Sequence, residues 1–226
     1  SFLLLILVAV ACTNRSTSSE QDEMRHWNNV LQQINALLLE NKARQTLDLA
    51  KQTLPEILES AEKNGTTDTL IYYARKIFNA CGNNYINTKQ YKDGIDYMDS
   101  IGNHPLIREH CPHELLSFKA GLNQLYGNNP EAVRLAEDYL QLPVCTSAND
   151  FIRQAEIISG VYMYSGNNLP KAIQILEKAI DVYRKGGNFP NMLRIMSRLG
   201  IYYHLSGEYE KAIATNQEAI ATYNDS

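Results

Sequence analysis

The stretch that decides the fold runs from Met196 to Ile220: M-S-R-L-G-I-Y-Y-H-L-S-G-E-Y-E-K-A-I-A-T-N-Q-E-A-I. Met196, Leu199, Gly200 and Tyr203 recur at helical spacing and so share one face. Ser206-Gly207-Glu208 interrupts the period, and glycine accommodates the positive φ that closes a tight turn. Ala212, Ile213, Asn216, Ala219 and Ile220 then restart it. The segment predicts two helices folded back on each other, with Gly200 and Ala212 where their axes approach.

The phrase occurs three more times upstream. Cys81-Gly82-x2-Tyr85, followed by Tyr91-x2-Gly94-Ile95, is a close copy. Leu125-Tyr126-Gly127-Asn128-Asn129-Pro130-Glu131-Ala132 is a weaker one, with Ala120 at the small position of its first helix. Ile158-Ser159-x2-Tyr162, then Ser165-Gly166 and Ala172-x3-Leu176-x2-Ala179, is the third, with one extra residue in its turn. Gly94, Ala132, Ala172 and Ala212 mark the second helices and lie 38, 40 and 40 residues apart. A lone helical hairpin cannot bury its apolar stripe, whereas stacked hairpins form a continuous core. The expected packing positions are Gly82, Tyr85, Tyr91, Gly94, Ala132, Tyr162, Ala172, Leu199, Gly200, Tyr203, Tyr209 and Ala212, and packing is the expected role of the chain's recurrent tyrosines.

The phrase resembles the tetratricopeptide repeat (TPR) pattern W-x2-L-G-x2-Y…A-x3-F. Met196 stands at the Trp position and Asn216 at the Phe position, and the spacing exceeds the family's ~34 residues. The resemblance implies an all-α, TPR-like α-solenoid of about five helical hairpins, a right-handed superhelix. In that family the first helix of each hairpin lines a concave groove. Carried onto this register, the lining is Lys76, Asn79 and Asn83, then Ser117 and Gln124, then Arg153 and Met163, then Arg194, Arg198 and His204. Arg194 and Arg198, four apart, point the same way and suit bidentate contact with a carboxylate. This partly resembles the family's clamp for a peptide C-terminus, although Gly121 and Ile157 stand where that clamp uses polar side chains. The competing reading is a solvated basic stripe paired locally with Glu156.

The chain opens on Phe2-Leu3-Leu4-Leu5-Ile6-Leu7-Val8-Ala9-Val10-Ala11-Cys12. The run is too short to span a bilayer and suits the h-region of a secretory signal, with Ala9-Val10-Ala11 as an A-x-A cleavage site. Residues 1–11 therefore read as a partial signal peptide. Cys12 directly after it resembles a bacterial lipobox cysteine, which implies lipidation of Cys12. Thr13, which is not Asp, favours the outer membrane by the same resemblance. Residues 12–23 contain almost nothing apolar and read as a flexible tether. Repeats behind such a leader resemble TPR proteins of the secreted or lipoprotein type from Gram-negative bacteria, periplasm-facing or on the outer membrane.

In order along residues 24–226, Met24, Trp27, Leu31, Ile34 and Leu38 predict a helix to Glu40. Asn41-Lys42 is a turn. A second helix, Ala43 to Lys63, contains Pro55, which is expected to kink or split it. Thr69–Asn87 and Gln90–Ser100 form the next hairpin, and a short helix follows Pro105. Pro112 and Glu114 suit a first helical turn, and Asn129 a cap before Pro130. The last hairpins run over 149–184 and 190–223. Apolar residues around Ala212 and Ala219 predict that a further element, or a partner, covers the last hairpin.

Nothing in the sequence points to catalysis. There is no H-E-x-x-H, G-x-x-x-x-G-K-[ST] or G-x-S-x-G, and no cofactor is implied. His104, His110, Cys111 and His113 cluster, but H-x5-H-C-x-H matches no common zinc spacing, so no metal is expected. Net charge −4 argues against a nucleic-acid surface. Cys81 reads as a small buried hydrophobe, while Cys111 and Cys145, in equivalent loops, are a candidate disulfide. The expected function is a non-enzymatic scaffold for a protein or peptide partner, exported and held at a membrane by its lipid. The alternative is the periplasmic sensor portion of a membrane-anchored histidine kinase or helix-turn-helix transcriptional regulator.

Overall fold

A computed structural model of the chain describes residues 18–143, 148–186 and 189–224. Their regular structure is eleven helices: α1 (Ser18–Leu39), α2 (Ala43–Asn64), α3 (Asp68–Asn87), α4 (Tyr91–Ile101), α5 (Pro105–His110), α6 (Pro112–Tyr126), α7 (Asn129–Gln141), α8 (Ala148–Tyr164), α9 (Leu169–Gly186), α10 (Phe189–Leu205) and α11 (Tyr209–Asn224). The pairs α1/α2, α3/α4, α6/α7, α8/α9 and α10/α11 are five successive hairpins, and α5 is an insertion after the second. Each hairpin packs on the next, through α2 on α3, α4 on α6, α6 on α8 and α9 on α10. The chain is thus an all-helical, TPR-like solenoid.

One local device closes all five hairpins. Asn41 (φ 55°), Lys89 (58°), Gly127 (97°), Asn167 (43°) and Gly207 (82°) each adopt the left-handed conformation between paired helices. The next N–H then reaches back to a carbonyl in the preceding helix: Lys42 to Leu37, Gln90 to Tyr85, Asn128 to Asn123, Asn168 to Tyr162 and Glu208 to Tyr203, at 2.8–3.1 Å. This is a Schellman closure, which satisfies carbonyls that a helix end leaves orphaned. The extra turn residue of the fourth hairpin shows as a reach of six residues, from Asn168 to Tyr162, instead of five.

Several boundaries differ from expectation. The first helix begins at Ser18, inside the stretch expected to be a tether; Glu23 accepts a hydrogen bond from Ser60 Oγ at 2.8 Å, tying α1 to α2. Pro55 does not split α2, which is one helix from Ala43 to Asn64. Its ring lies on the exposed side, while Thr53, Leu54, Ile57 and Leu58 carry the buried stripe past it. Asn129 is the first residue of α7; Asn128 precedes it without a side-chain cap bond.

The buried residues form two cores. The N-terminal one gathers Trp27, Leu54, Ile77, Phe78, Tyr85, Phe118 and Leu122 among others. The C-terminal one gathers Ala120, Tyr139, Tyr162, Leu176, Met196 and Tyr203 among others. Helix α6 is the seam, since Phe118 and Leu122 serve one core and Ala120 the other. Gly82, Tyr85, Gly94, Ala132, Tyr162, Ala172, Leu199, Gly200, Tyr203 and Ala212 are all buried, and Tyr91 is half-buried against the N-terminal core. Tyr209 departs from expectation: it is 59% exposed. Its counterparts Tyr91 and Leu169 lie in hairpins with neighbours on both sides and are half-buried, whereas Tyr209 lies on the last hairpin.

Gly82 is where close approach is tightest. A Cβ there would lie 2.5 and 2.6 Å from Cγ and Cδ1 of the Phe118 ring, itself held edge-on by Phe78 at 6.1 Å. A cation–aromatic clamp recurs between hairpins. Lys171 Nζ sits 4.6 Å over the Tyr162 ring and bonds Glu137 of the preceding hairpin at 2.6 Å. One repeat on, Lys211 sits 5.3 Å over Tyr203, whose hydroxyl donates to Glu177. Burial raises the pKa of both tyrosines, with the neighbouring carboxylate adding to it. The insertion α5 is fastened by Arg75, which donates to the His110 carbonyl at 2.5 Å and pairs with Glu114 at 3.2 Å. The Glu114 side chain is 3% exposed, so this pair is one whose removal on one side leaves a buried charge.

Candidate functional site

The first helices of the hairpins meet at a cleft. Lys76, Asn79, Asn83 and Asn87 recur at three and four residues along α3 and so occupy one face. That face, with Tyr72, Ala80 and Asn84, forms one wall; α1 adds Leu31, Ile34, Asn35 and Leu38; Arg153 of α8 and Arg194 of α10 complete the lining. The enclosed volume is about 560 Å3, within the range of ligand sites.

Its walls differ in chemistry. Leu31, Ile34, Leu38 and Tyr72 offer apolar surface, and Lys76 Nζ lies 5.7 Å from the Tyr72 ring centroid. The asparagines are oriented by their own helix: Asn83 donates to the Asn79 carbonyl, and Asn84 Nδ2 to that of Ala80 at 2.8 Å. This leaves Asn84 Oδ1 buried with no hydrogen-bond partner among the described residues. A buried acceptor without a donor costs on the order of 1–3 kcal/mol. Across the cleft, Arg194 pairs with the Glu156 carboxylate at 2.5 Å and Arg198 donates to the Glu156 backbone carbonyl at 3.0 Å. Glu156 is buried, and its second carboxylate oxygen has no partner among the described residues. The cleft thus combines an asparagine face, an apolar wall and three cations, one of which is paired with the buried Glu156 carboxylate behind it.

Of the residues expected to line the groove, Lys76, Asn79, Asn83, Arg153 and Arg194 are brought together. The remaining ones are not. Arg198 is half-buried beneath Glu156, so Arg194 and Arg198 share an internal acceptor and do not form an open fork. Gln124 is half-buried, 3.8 Å from where a Cβ on Gly160 would stand. Ser117 is buried and donates to the Glu114 carbonyl, and Met163 packs against the C-terminal core. His204 lies outside the cleft, in a trough at the end of the array, edge-on to Tyr209 at 5.3 Å. Sequence reasoning missed the α1 wall and Asn84. The spacing of Asn79, Asn83 and Asn87 was a readable signal for the polar face.

The other candidates separate. His104 Nδ1 accepts the Leu106 N–H and its Nε2 lies 3.2 Å from Glu62, while His113 Nε2 lies 2.7 Å from the Pro143 carbonyl. No group of three metal-binding side chains occurs among the described residues. Cys81 is buried. Cys111 is also buried, at the joint of α5 and α6 and not in an open loop. Cys145 and Cys12 lie outside the described residues. Among those residues no helix is long and apolar enough to cross a membrane.

Residues 155–225 match the family model described as tetratricopeptide repeat. That span takes in most of the fourth hairpin and the fifth. No curated protein matches the chain. Among solved structures, the nearly identical TPR-like repeats of a kinesin light chain candidate from Podosopora anserina superpose with a TM-score of 0.55 at 12% identity, over 89% of this chain and 97% of that one. MamA from Desulfovibrio magneticus RS-1 superposes with a TM-score of 0.51 at 15% identity, over 90% and 97%. At such identities the likeness is one of fold, and it extends TPR-like architecture over hairpins the family model does not reach.

Proposed function

We infer that the chain is a non-enzymatic scaffold that holds an extended segment of a protein partner in the cleft between α1, α3, α8 and α10. The carrying observation is the lining of the cleft, where the asparagine face of α3 stands opposite the apolar side chains of α1 and beside the cations Lys76 and Arg194. A peptide backbone supplies both donors and acceptors for Asn79, Asn83 and Asn87. Acidic side chains or a terminal carboxylate complement Lys76 and compete with Glu156 for Arg194. The test is selection of a displayed random-peptide library on the immobilised full chain. Enriched peptides are expected to be acidic and to lose about tenfold or more in affinity to Asn79→Ala and Arg194→Ala. Peptides that bind both variants as tightly as the parent, or no enrichment, refute this reading.

The apolar leader ending at Cys12 supports the second part of the proposal: export, lipidation of Cys12, and display of the cleft at a periplasm-facing or outer membrane. Metabolic labelling with a radioactive fatty acid tests it in a Gram-negative host. Label on the parent that is lost in Cys12→Ser is expected; label retained without the cysteine overturns it.

A further inference from the structure

Arg194 has two claims on it. It lines the cleft with its side chain 58% exposed, and it pairs with Glu156, whose side chain is 11% exposed. The backbone carbonyl of Glu156 accepts from Ser159 Oγ and from Arg198 Nη1, each at 3.0 Å. The residue is therefore held both from its own helix, α8, and from α10. Arg194 and Arg198 stand four apart on α10 and so reach toward the same neighbour. Among the described residues Arg194 is the one partner of the Glu156 carboxylate, because the other oxygen, Oε1, is buried without any.

We propose, resting on the reading of the cleft as a seat for an acidic partner segment, that Glu156 is the residue that sets its affinity and specificity. It is an internal carboxylate that occupies Arg194 as a bound acidic segment would, and that such a segment must displace. Burial decides which carboxylate wins. An acidic group arriving from solvent is hydrated and screened, and it gains little from one exposed guanidinium. Glu156, by contrast, becomes a buried charge with no partner once Arg194 turns away, which is the costly state of a broken buried pair. Arg194 therefore stays with Glu156 unless the rest of the segment is already seated on Lys76 and the asparagines of α3. A lone acidic side chain is rejected, and a segment that also fits the α3 face is accepted. Replacing Glu156 with the neutral side chain of the same shape removes the competitor and leaves Arg194 a full cation facing the cleft.

Two readouts on the full chain test this, the first without any peptide. Phenylglyoxal condenses with exposed guanidinium groups and is slowed where a carboxylate holds them, and peptide mass spectrometry follows each arginine separately. In the unaltered chain Arg194 is expected to react at least about tenfold more slowly than Arg44, an exposed arginine of α2 outside the cleft. Comparable rates overturn the proposal with no substitution made. Glu156→Gln, with unchanged helical circular dichroism, is expected to bring Arg194 close to the Arg44 rate; no acceleration overturns the proposal and leaves the cleft reading standing. The second readout is fluorescence anisotropy of a labelled hexaglutamate peptide. Its affinity for Glu156→Gln is expected to exceed that for the parent about tenfold or more, while hexaglutamine shows no such gain. Equal gains for both peptides, or a gain for neither although hexaglutamate binds, overturn the proposal. Faster reaction of Arg194 with hexaglutamate bound by neither protein refutes the cleft reading, and this proposal with it.

Discussion

Replacing Gly82 with alanine tests the closest crossing in the array. The added methyl would stand 2.5–2.6 Å from Cγ and Cδ1 of Phe118, at the root of a ring that is 1% exposed. The ring cannot swing aside, because Phe78 holds it edge-on and the N-terminal core surrounds it. Overpacking of this kind costs about 1–3 kcal/mol, and alanine's better helix propensity returns about 1 kcal/mol. Net destabilisation of up to about 2 kcal/mol is expected. Trp27, the single tryptophan, belongs to the same core, so urea unfolding followed by its fluorescence reports on it directly. The midpoint should fall with the slope unchanged. Phe118→Leu in the Gly82→Ala background should recover at least about 1 kcal/mol relative to the sum of the single changes. A higher midpoint for Gly82→Ala would mean that propensity alone is felt and that α3 and α6 do not cross this closely.

Gly200→Ala makes the contrast: its Cβ would meet the Asn216 carboxamide, 2.5 Å to Oδ1, on an exposed side chain that can turn away, so thermal unfolding should be unchanged or raised by up to about 1 kcal/mol. Burial pushes the Cys81 thiol up to about 12, so peptide mass spectrometry should find Cys81 unalkylated at pH 8 until denaturant is added; rapid native labelling would contradict its burial. The bond from Lys171 holds the Glu137 carboxyl below its usual range. Its contribution is therefore present above the ordinary carboxylate pKa and fades as pH falls through the depressed value. Lys171→Met should raise the Glu137 titration midpoint seen by NMR, and for this partly exposed pair should cost no more than about 0.5 kcal/mol at neutral pH.

The repeat was legible because it is written in small residues at fixed phase. Gly82, Gly94, Ala172, Gly200 and Ala212 all fell where helices approach. The turns were legible only in part: Asn41-Lys42 reads as one, but elsewhere glycine was the expected signal, and Lys89 and Asn167 do the same work. Asn tolerates the left-handed conformation by its own propensity, whereas Lys89 is held in it by the short-range backbone bonds that close the turn. Pro55 misled because its effect depends on the side of the helix it occupies. Tyr209 misled because a periodic pattern assigns burial to a position, while burial itself needs a neighbour. Of the cleft, the α3, α8 and α10 contributions followed from the family resemblance carried onto the repeat register. The α1 wall did not, as that hairpin lacks the glycine and tyrosine markers. The Arg75–Glu114 pair joins residues 39 apart across an insertion, a distance at which no helical period operates.

The seam at α6 makes the molecule thermodynamically two-part. Repeat arrays are sums of local units and neighbour couplings, and here the coupling between halves passes largely through one helix that shows each core a different side. The cleft straddles that seam, with α1 and α3 on one half and Arg153 and Arg194 on the other. A ligand seated there acts as a rivet: its binding free energy is charged to any motion that parts the halves. In a calorimeter, two overlapping heat-absorption peaks in the empty chain would converge into one as the cleft fills, so that occupancy is read as cooperativity.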